Sequence, residues 1–503
     1  MGHITVDELS EELKNQINNS GMKEEEVNNL IQNKIGTDEL ATTNKTIAGA
    51  INELFQDVDS GKQLIADAID NESITKNSTF EAMSNAITEI RLDKDEIENS
   101  INADKNKWYE LLKTSGCNVN DTDSMDDLYN ALSASSLAIQ DVKQVACGYR
   151  VTYIIKNDGS LWSCGINSHG QLGLGSSDEN THTTFTKITT NINNDVEQIA
   201  CGSRHALMVK TDGSLWTCGY NDYGQLGTGD FSQRSSFTEI TTNINNDVKY
   251  VSCGLYNSLI IKNDGSLWAA GLNDYGQLGL GTSVVTQNTF AQVTTNVKQV
   301  ACYYQHTCIV KNDGSLWSAG ENAYGQLGLN DTTNRRAFTQ VTTNINNDVN
   351  YVTCGYTDTM IIKTDGSLWG CGYNQVSQLG FGASGTKKTF AQVTTNINND
   401  VKDVKCGETH TLIIKNDNTV WGCGYNYYGQ LGLESTEGVG VFTQIITNID
   451  NDKIKSISCG DTHSFIIKNN NSLWSTGYNN YGQLGLGDTT TRNVFSNRKG
   501  FSI

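Results

Sequence analysis

The chain has 503 residues and a formal net charge of −20; that length exceeds what one hydrophobic core usually covers, so more than one domain is expected. The charge is uneven: residues 1–140 carry 27 acidic and 11 basic side chains, which leaves 29 and 25 for residues 141–503. An acidic head on a nearly neutral body argues against nucleic acid as a partner, since phosphate binding needs clustered Lys and Arg, and lends no support to an anionic lipid surface.

No run of about 18 apolar residues exists, so membrane insertion is not expected. The opening stretch MGHITVDELSEELKN lacks a basic region followed by an apolar one, so no Sec-type signal peptide is expected. Work outside a cell would then need another route of export. Proline is absent, which leaves turns to Gly, Asn and Asp.

Residues 1–140 read as short helices. Val6, Leu9, Leu13 and Ile17 step by three and four, as do Val27, Leu30 and Ile31. Ile47, Ala50, Ile51, Leu54 and Val58 form one stripe, and a further helix is expected over 62–69. Ser78 and Ser124 stand where N-caps would, each with an acid three residues on (Glu81 and Asp127), a capping-box pattern. The segment between them, 93–112, is amphipathic. Such narrow stripes bury little surface alone, so self-association or docking on a larger body is expected, against the alternative of a small monomeric helical domain.

From about residue 141 a repeat takes over, with Trp162, Trp216, Trp268, Trp317, Trp369, Trp421 and Trp474 spaced 54, 52, 49, 52, 52 and 53 residues apart. A fixed period near fifty means one supersecondary unit that buries its apolar faces against its neighbours. In the second copy VEQIACG (196–202) predicts an inner strand, HALMVK (205–210) a second and LWTCG (215–219) a third. The Asp212-Gly213 pair between the last two predicts a two-residue hairpin with both central residues at positive φ. Asn418 and Asn471 replace that Gly in copies six and seven, as such a turn allows. An outer strand is expected from Phe237 onward. The last outer strand, expected over 494–502, matches the others poorly and leaves ring closure open. Four strands in each of seven units fit a β-propeller. A solenoid is the alternative, disfavoured because neither end carries a polar capping copy. The fold class expected is therefore mainly β, a seven-bladed propeller (141–503) preceded by a small α-helical region (1–140). Copy four has Tyr303 where the others have Gly and is about three residues short. Copy five has Ser377 where the others have Gly before Gln-Leu-Gly. Both should distort the ring locally without opening it.

Most of the 13 cysteines belong to the repeat. Cys147, Cys201, Cys253, Cys302, Cys354, Cys406 and Cys459 share one position, and Cys164, Cys218, Cys371 and Cys423 a second, where Ala270, Ala319 and Thr476 also serve. A small apolar group suffices there, so buried reduced thiols are expected, and Trp and Cys should fill the gaps between blades. His205, His306, His410 and His463 each follow the repeat cysteine by four residues, which fits structural hydrogen bonding rather than metal binding. The acidic stretch 121–127 lacks the Gly and Glu of a calcium loop. The Gly380-x-Gly382-x-x-Gly385 pattern aligns with ordinary repeat loops. Neither a nucleophile elbow, a zinc-protease motif nor a phosphate loop is present. No catalytic residue, cofactor or metal is expected.

Two resemblances add to this reading. IGTDELATTNKTIAGAINEL (35–54) and LIADAIDNESITKNSTFEAMSNAITEI (64–90) resemble short modules of bacteriophage and prophage tail and fibre proteins. They imply a virion tail or extracellular phage-tail-like particle, synthesised in a bacterial cytoplasm, with the head attaching to other tail or baseplate proteins. Fibre analogy implies a homo-oligomer, specifically a trimer. IACGSRHALMV (199–209) and GYNDYGQLG (219–227) resemble the regulator-of-chromosome-condensation repeats, which implies a seven-bladed propeller. That family's nucleotide exchange on a small GTPase cannot be carried over residue by residue, and the acidic charge weakens a chromatin role.

What differs between copies then points to binding. The residues after each inner strand vary most: Tyr149 and Arg150, Arg204, Tyr256, Tyr304 and Gln305, Tyr356, Glu408, and Asp461. They are expected to ring one mouth of the channel and contact a sugar or protein. The loop before each outer strand, such as 176–184, is the second variable segment. The leading expectation is a tail-fibre or baseplate-associated receptor-binding protein whose propeller recognises a host cell-surface glycan or protein. The alternatives are an architectural tail subunit and a cytoplasmic scaffold or exchange factor.

Overall fold

The computed structural model describes residues 139–281, 283–446 and 454–497. The helices, caps and oligomer expected of the head lie outside these residues. Among the described residues, 28 strands form seven four-stranded antiparallel sheets, each made of four consecutive strands in simple order. The first strand of each sheet lies beside the first strand of the next, and Val142–Cys147 lies beside Ile454–Cys459. The result is a closed seven-bladed propeller. Every blade is contiguous in sequence, so the ring closes without an exchanged strand. At the seam Leu473 N–H donates to Ile139 C=O (2.8 Å) and Val142 N–H to Asn471 C=O (3.0 Å). Among the described residues no helix is long and apolar enough to cross a membrane.

The strand patterns follow from position in the blade. The second strand is covered on both faces, and all six residues of His205–Lys210 are buried. It therefore reads as a continuous apolar run. The outer strand Thr181–Lys187 has one fully buried residue, Phe185, and reads as polar. Seven hydrophobic clusters fill the seven seams. In one of them Tyr153, Ile155 and Ile188 of blade 1 meet Ile199, Met208, Cys218 and Phe237 of blade 2. Each fully buried Ile, Met or Phe there contributes about 1.5–3 kcal/mol relative to exposure. Trp216 packs against the edge of that cluster, and Cys164, Cys218, Cys371 and Cys423 are wholly buried as free thiols. Trp and Cys do fill the gaps between blades. The last Gly of each Gly-Gln-Leu-Gly is the contact point: a Cβ on Gly227 (φ +71°) would lie 2.4 Å from the ring of Phe290 in the next blade.

Two sequence expectations are corrected. The Asp-Gly turn is a three-residue loop, because Lys210 N–H donates to Ser214 C=O and Gly213 N–H to Lys210 C=O. Gly213 alone takes positive φ, at +82°, as do Asn418 (+67°) and Asn471 (+63°), while the preceding Asp or Asn does not. This is a turn followed by a one-residue bulge, which still requires Gly or Asn at its last position. The Asp carboxylate serves instead as an acceptor for the Ser214 N–H (2.9 Å). The outer strands also begin about three residues earlier than expected, as in Arg234–Ile240 and the last strand Arg492–Ser496. Gly219 pairs with Arg234, and Arg234 is anchored on Asp230 at 2.6 Å, which extends the strand back from its Phe. The missing residues of copy four fall in the connector from blade 3, where Thr286–Thr294 runs almost directly into Val297–Tyr303. The ring stays closed across both irregular copies.

Candidate functional site: an aromatic cup at the channel mouth

Antiparallel order puts the loop after each inner strand and the Gly-Tyr-Asn-Asp-Tyr-Gly-Gln-Leu-Gly loop on one face. The tryptophan hairpins and the Asn-rich connectors lie on the other. On this second face the repeated side chains bond to one another. Lys210 reaches Asn191 C=O (2.7 Å) and Asp195 (3.0 Å) and lies 4.4 Å over the Trp216 ring, whose indole N–H donates to Ser214. Lys262, Lys363 and Lys415 repeat the arrangement with Asp247, Asp348 and Asp400.

The first face is built differently. A cavity of about 350 Å³ opens at the channel mouth, lined by Tyr149, Arg204, Tyr256, Tyr304, Tyr356, Glu408 and Asp461. Seven of the nine residues expected there therefore meet in one cup. Arg150 stands outside it, stacked over Tyr149 at 4.4 Å and Tyr481 at 4.1 Å, with its guanidinium donating to the Tyr149 hydroxyl (2.8 Å). Gln305 is also outside; its carbonyl accepts the Glu321 N–H (2.9 Å).

Tyr303 makes the cup blind. It occupies the position of Gly148, Gly202, Gly254, Gly355, Gly407 and Gly460 in the other copies. Its phenol donates to the Asp461 carboxylate. Blades 4 and 7 are as far apart as a ring of seven permits, so this side chain crosses the channel axis. Further in, Lys405 bonds to Asp403 (2.8 Å) and to the Tyr351 hydroxyl, and lies 4.5 Å from the Tyr351 ring centre. Burial works against the Lys405 charge, but Tyr351 and Asp403 hold its pKa well above the usual ammonium value.

The charges in the cup are unevenly matched. Burial pushes Asp461 up to about 7, against the Tyr303 hydrogen bond; Glu408 adds to the rise and Arg150 opposes it. Burial also raises Glu408, which makes no ion pair or side-chain hydrogen bond among the described residues. Among the described residues the Arg204 guanidinium has one hydrogen-bond partner, His169 Nε2, at 3.1 Å.

Around the cup runs a collar that sequence reasoning missed. Tyr220 and Tyr223 pack on Tyr256, Tyr304 stacks on Tyr356 at 3.8 Å, Tyr324 meets Tyr373, and Tyr428 meets Tyr478. Tyr427 is 64% exposed. Apart from Tyr256, Tyr304 and Tyr356, which belong to the variable loops already expected here, these tyrosines come from the repeated loop motif and so read as scaffold. The available signal was a bulky ring recurring beside Asn and Asp in a turn, where no core would place it.

The repeat histidines lie in the seams, as expected. His205 Nε2 is 3.0 Å from Ser258 Oγ in the next blade, and that hydroxyl donates to Gln225 C=O (2.6 Å). The hydroxyl proton is thus used, so the imidazole is the donor and carries its proton on Nε2. Burial lowers His205 to about 3, which keeps it neutral. His306, Cys308 and Cys354 are the one buried grouping among the described residues with atoms close enough to share a metal, within 4.8 Å of one another. They already hold seam bonds, His306 to Thr359 (3.0 Å) and Cys354 to Ala301 C=O (3.3 Å).

Comparisons with known proteins agree with this architecture. The RCC1-like domain profile matches residues 113–347 and 286–499. The ultraviolet-B receptor UVR8 of Arabidopsis thaliana is 28% identical over 371 residues, covering 73% of this chain and 72% of that protein. The human X-linked retinitis pigmentosa GTPase regulator is 34% identical over 334 residues, 64% of this chain; the chain spans 32% of that relative's length. Among solved structures, yeast RCC1 (Prp20) bound to Kap60 superposes with a TM-score of 0.61 at 19% identity, covering 72% of this chain and 85% of that one. Human WBSCR16 gives 0.59 at 22% identity, over 65% and 86%. At those identities the structures speak to the fold alone. With matched repeats through all seven blades, the chain belongs to the RCC1-like domain family.

Proposed function

We propose that this protein is a recognition component of a phage tail or phage-tail-like particle. Residues 1–140 attach it to other tail or baseplate proteins and oligomerise it, and the tyrosine-lined face of the propeller binds a glycan or protein on the host surface. The observation that carries the binding role is the contrast between the two faces. One is knitted together by its own Lys, Trp, Asp and Asn groups; the other presents a blind cup and an aromatic collar. Tyrosine offers large contact area at low entropic cost together with a hydroxyl, which suits both sugar rings and protein surfaces. The tail assignment is supported by the two sequence modules in the head. Catalysis is not part of the reading, since RCC1-like propellers serve as binding scaffolds.

The test is adsorption. Particles carrying the chain without residues 141–503 should fail to adsorb to host cells, and particles with Tyr304→Ala and Tyr356→Ala should adsorb weakly while still assembling. Normal adsorption without the propeller would overturn host recognition. A propeller-specific antibody that cannot reach the ring in assembled particles would point to an architectural subunit instead.

A further inference from the structure

The cup is dipolar across its width. Arg204 belongs to blade 2, Tyr356 to blade 5 and Glu408 to blade 6, and blades 5 and 6 stand opposite blade 2 in a ring of seven. The two charges line one cavity, yet among the described residues neither forms an ion pair. The cavity therefore separates a cationic wall from an anionic one. The anionic wall also carries a stacked tyrosine pair, while Tyr149 and Tyr256 belong to blades 1 and 3, on either side of Arg204. Tyr304 and Tyr356 stack there at 3.8 Å, Tyr303 forms the floor, and Asp461 holds the Tyr303 hydroxyl. Phenol rings beside a carboxylate favour an ammonium group, through ring quadrupole and charge together. On the far side the Arg204 guanidinium presents donors suited to a phosphate or carboxylate. Of the other charged neighbours, Arg150 is held between two tyrosine rings outside the cup, and Glu321 adds negative charge near Tyr356.

We propose that the cup binds a zwitterionic group, its ammonium end against Tyr304, Tyr356 and Glu408 and its anionic end on Arg204. On a cell surface this means a polymer substituent or head group that carries an amine and an acid close together. The proposal rests on the reading that this face of the propeller binds a ligand. A volume of about 350 Å³ admits a group of that size. Neither half of such a ligand alone satisfies both walls, so specificity follows from the pairing.

The test is calorimetric titration of the full chain with phosphocholine, choline and glycerol phosphate. Phosphocholine should bind roughly tenfold or more tighter than either half. Glu408→Gln should weaken phosphocholine and choline together, and Arg204→Gln should weaken phosphocholine and glycerol phosphate but leave choline unchanged. Unaltered thermal unfolding shows that both variants fold. Choline binding as tightly as phosphocholine, or an Arg204→Gln variant that keeps full phosphocholine affinity, overturns the proposal. So does no phosphocholine heat at about 10 mM, well above the range of a specific site. That last result, with propeller-less particles still failing to adsorb, would sink the zwitterion and leave host recognition standing. Phosphocholine binding with normal adsorption of propeller-less particles would do the reverse.

Discussion

Tyr303 of blade 4 donates a hydrogen bond to Asp461 of blade 7 across the channel axis. The bond favours the charged form of a carboxyl that burial otherwise pushes up, to about 7. Tyr303→Phe keeps the ring as a floor and deletes the donor. The Asp461 pKa should then climb above its present value, because the one hydrogen bond that lowers it is gone. Carboxyl carbon chemical shifts followed through a pH titration measure this directly. An unchanged or lowered midpoint would mean that the phenol does not support the carboxylate.

Ser377 and Gly440 form a compensating pair. Ser377 adopts φ +63° where other copies have Gly, a conformation that costs an L-residue about 1–2 kcal/mol. In the other seams this position lies against the backbone of a side-chain-bearing residue of the next blade, as Gly224 lies against Asn288 and Gly170 against Ser235. Opposite Ser377 the next blade carries Gly440, whose own Cβ would sit 3.8 Å from Ser377 Oγ. Gly440→Asn brings a longer side chain up to Ser377 Oγ, so it should be less favourable in the wild type than in a Ser377→Gly background, where it restores the pairing of the other seams. Ser377→Gly alone should gain less than about 1 kcal/mol, since Gly returns part of the relief as unfolded-state entropy. A double-mutant cycle by denaturant unfolding should give a coupling of about 1 kcal/mol. Additive effects would refute the compensation.

That pair also shows where sequence reading stopped. The period of the tryptophans, the apolar runs and the turn residues are each set by contacts inside one blade or with its neighbour, and all of them were legible. Ser377 was visible as a departure, but Gly440, 63 positions later, only became its partner once two blades were placed side by side. Tyr303 was likewise visible, as a residue too large for its place. Its role as a floor depends on Asp461, 158 residues away, and on the width of a channel that no local pattern encodes. The variable loop residues converged because ring symmetry alone sends them to one mouth. The tyrosine collar escapes a sequence reading for the opposite reason: repetition reads as scaffold, although a turn at the surface repeats its side chains as faithfully as a core does.

Asp358 sits where four other copies have His, wholly buried, and among the described residues its carboxyl oxygens have no well-formed hydrogen bond, only the looser approach of Cys406 and Gln378. Burial pushes its pKa up to about 8, with Cys406 and Gln378 pulling weakly the other way. The folded state thus retains a proton that the unfolded chain, with a carboxyl near 3.8, gives up. Unfolding releases that proton, so the Asp358 contribution to stability falls as pH rises from about 4 to about 8 and levels off above, while the four buried neutral histidines give the opposite slope up to about 6.5. Asp461 adds a slope of the same sign that ends near 7. Between pH 7 and 8 the remaining slope belongs to Asp358. Asp358→Asn should flatten it in thermal unfolding scans. A slope that survives the substitution would place the titration elsewhere.

The seam between blades 7 and 1 uses the same relay as the seams between blades 2 and 3 and between blades 4 and 5. Thr152 donates to Gln483 C=O at 2.7 Å and faces His463 Nε2 at 3.3 Å, as Ser258 donates to Gln225 C=O and accepts from His205. A ring closed by an exchanged strand would have one special seam; this ring, with contiguous blades, should have none. Thr152→Val removes the hydroxyl, strands the imidazole N–H and leaves the Gln483 carbonyl only the long Cys164 thiol contact (3.6 Å), at a cost of about 1–3 kcal/mol for each group left unsatisfied. Ser258→Ala leaves the same two groups stranded between blades 2 and 3, so both variants should lose comparable stability in urea unfolding. If Thr152→Val alone produced a separate early transition, the closing seam would be the weak point of the ring. Equal losses in one cooperative transition would show instead that the closing seam is no weaker than the one between blades 2 and 3, where a hydroxyl likewise bonds back to the blade before it.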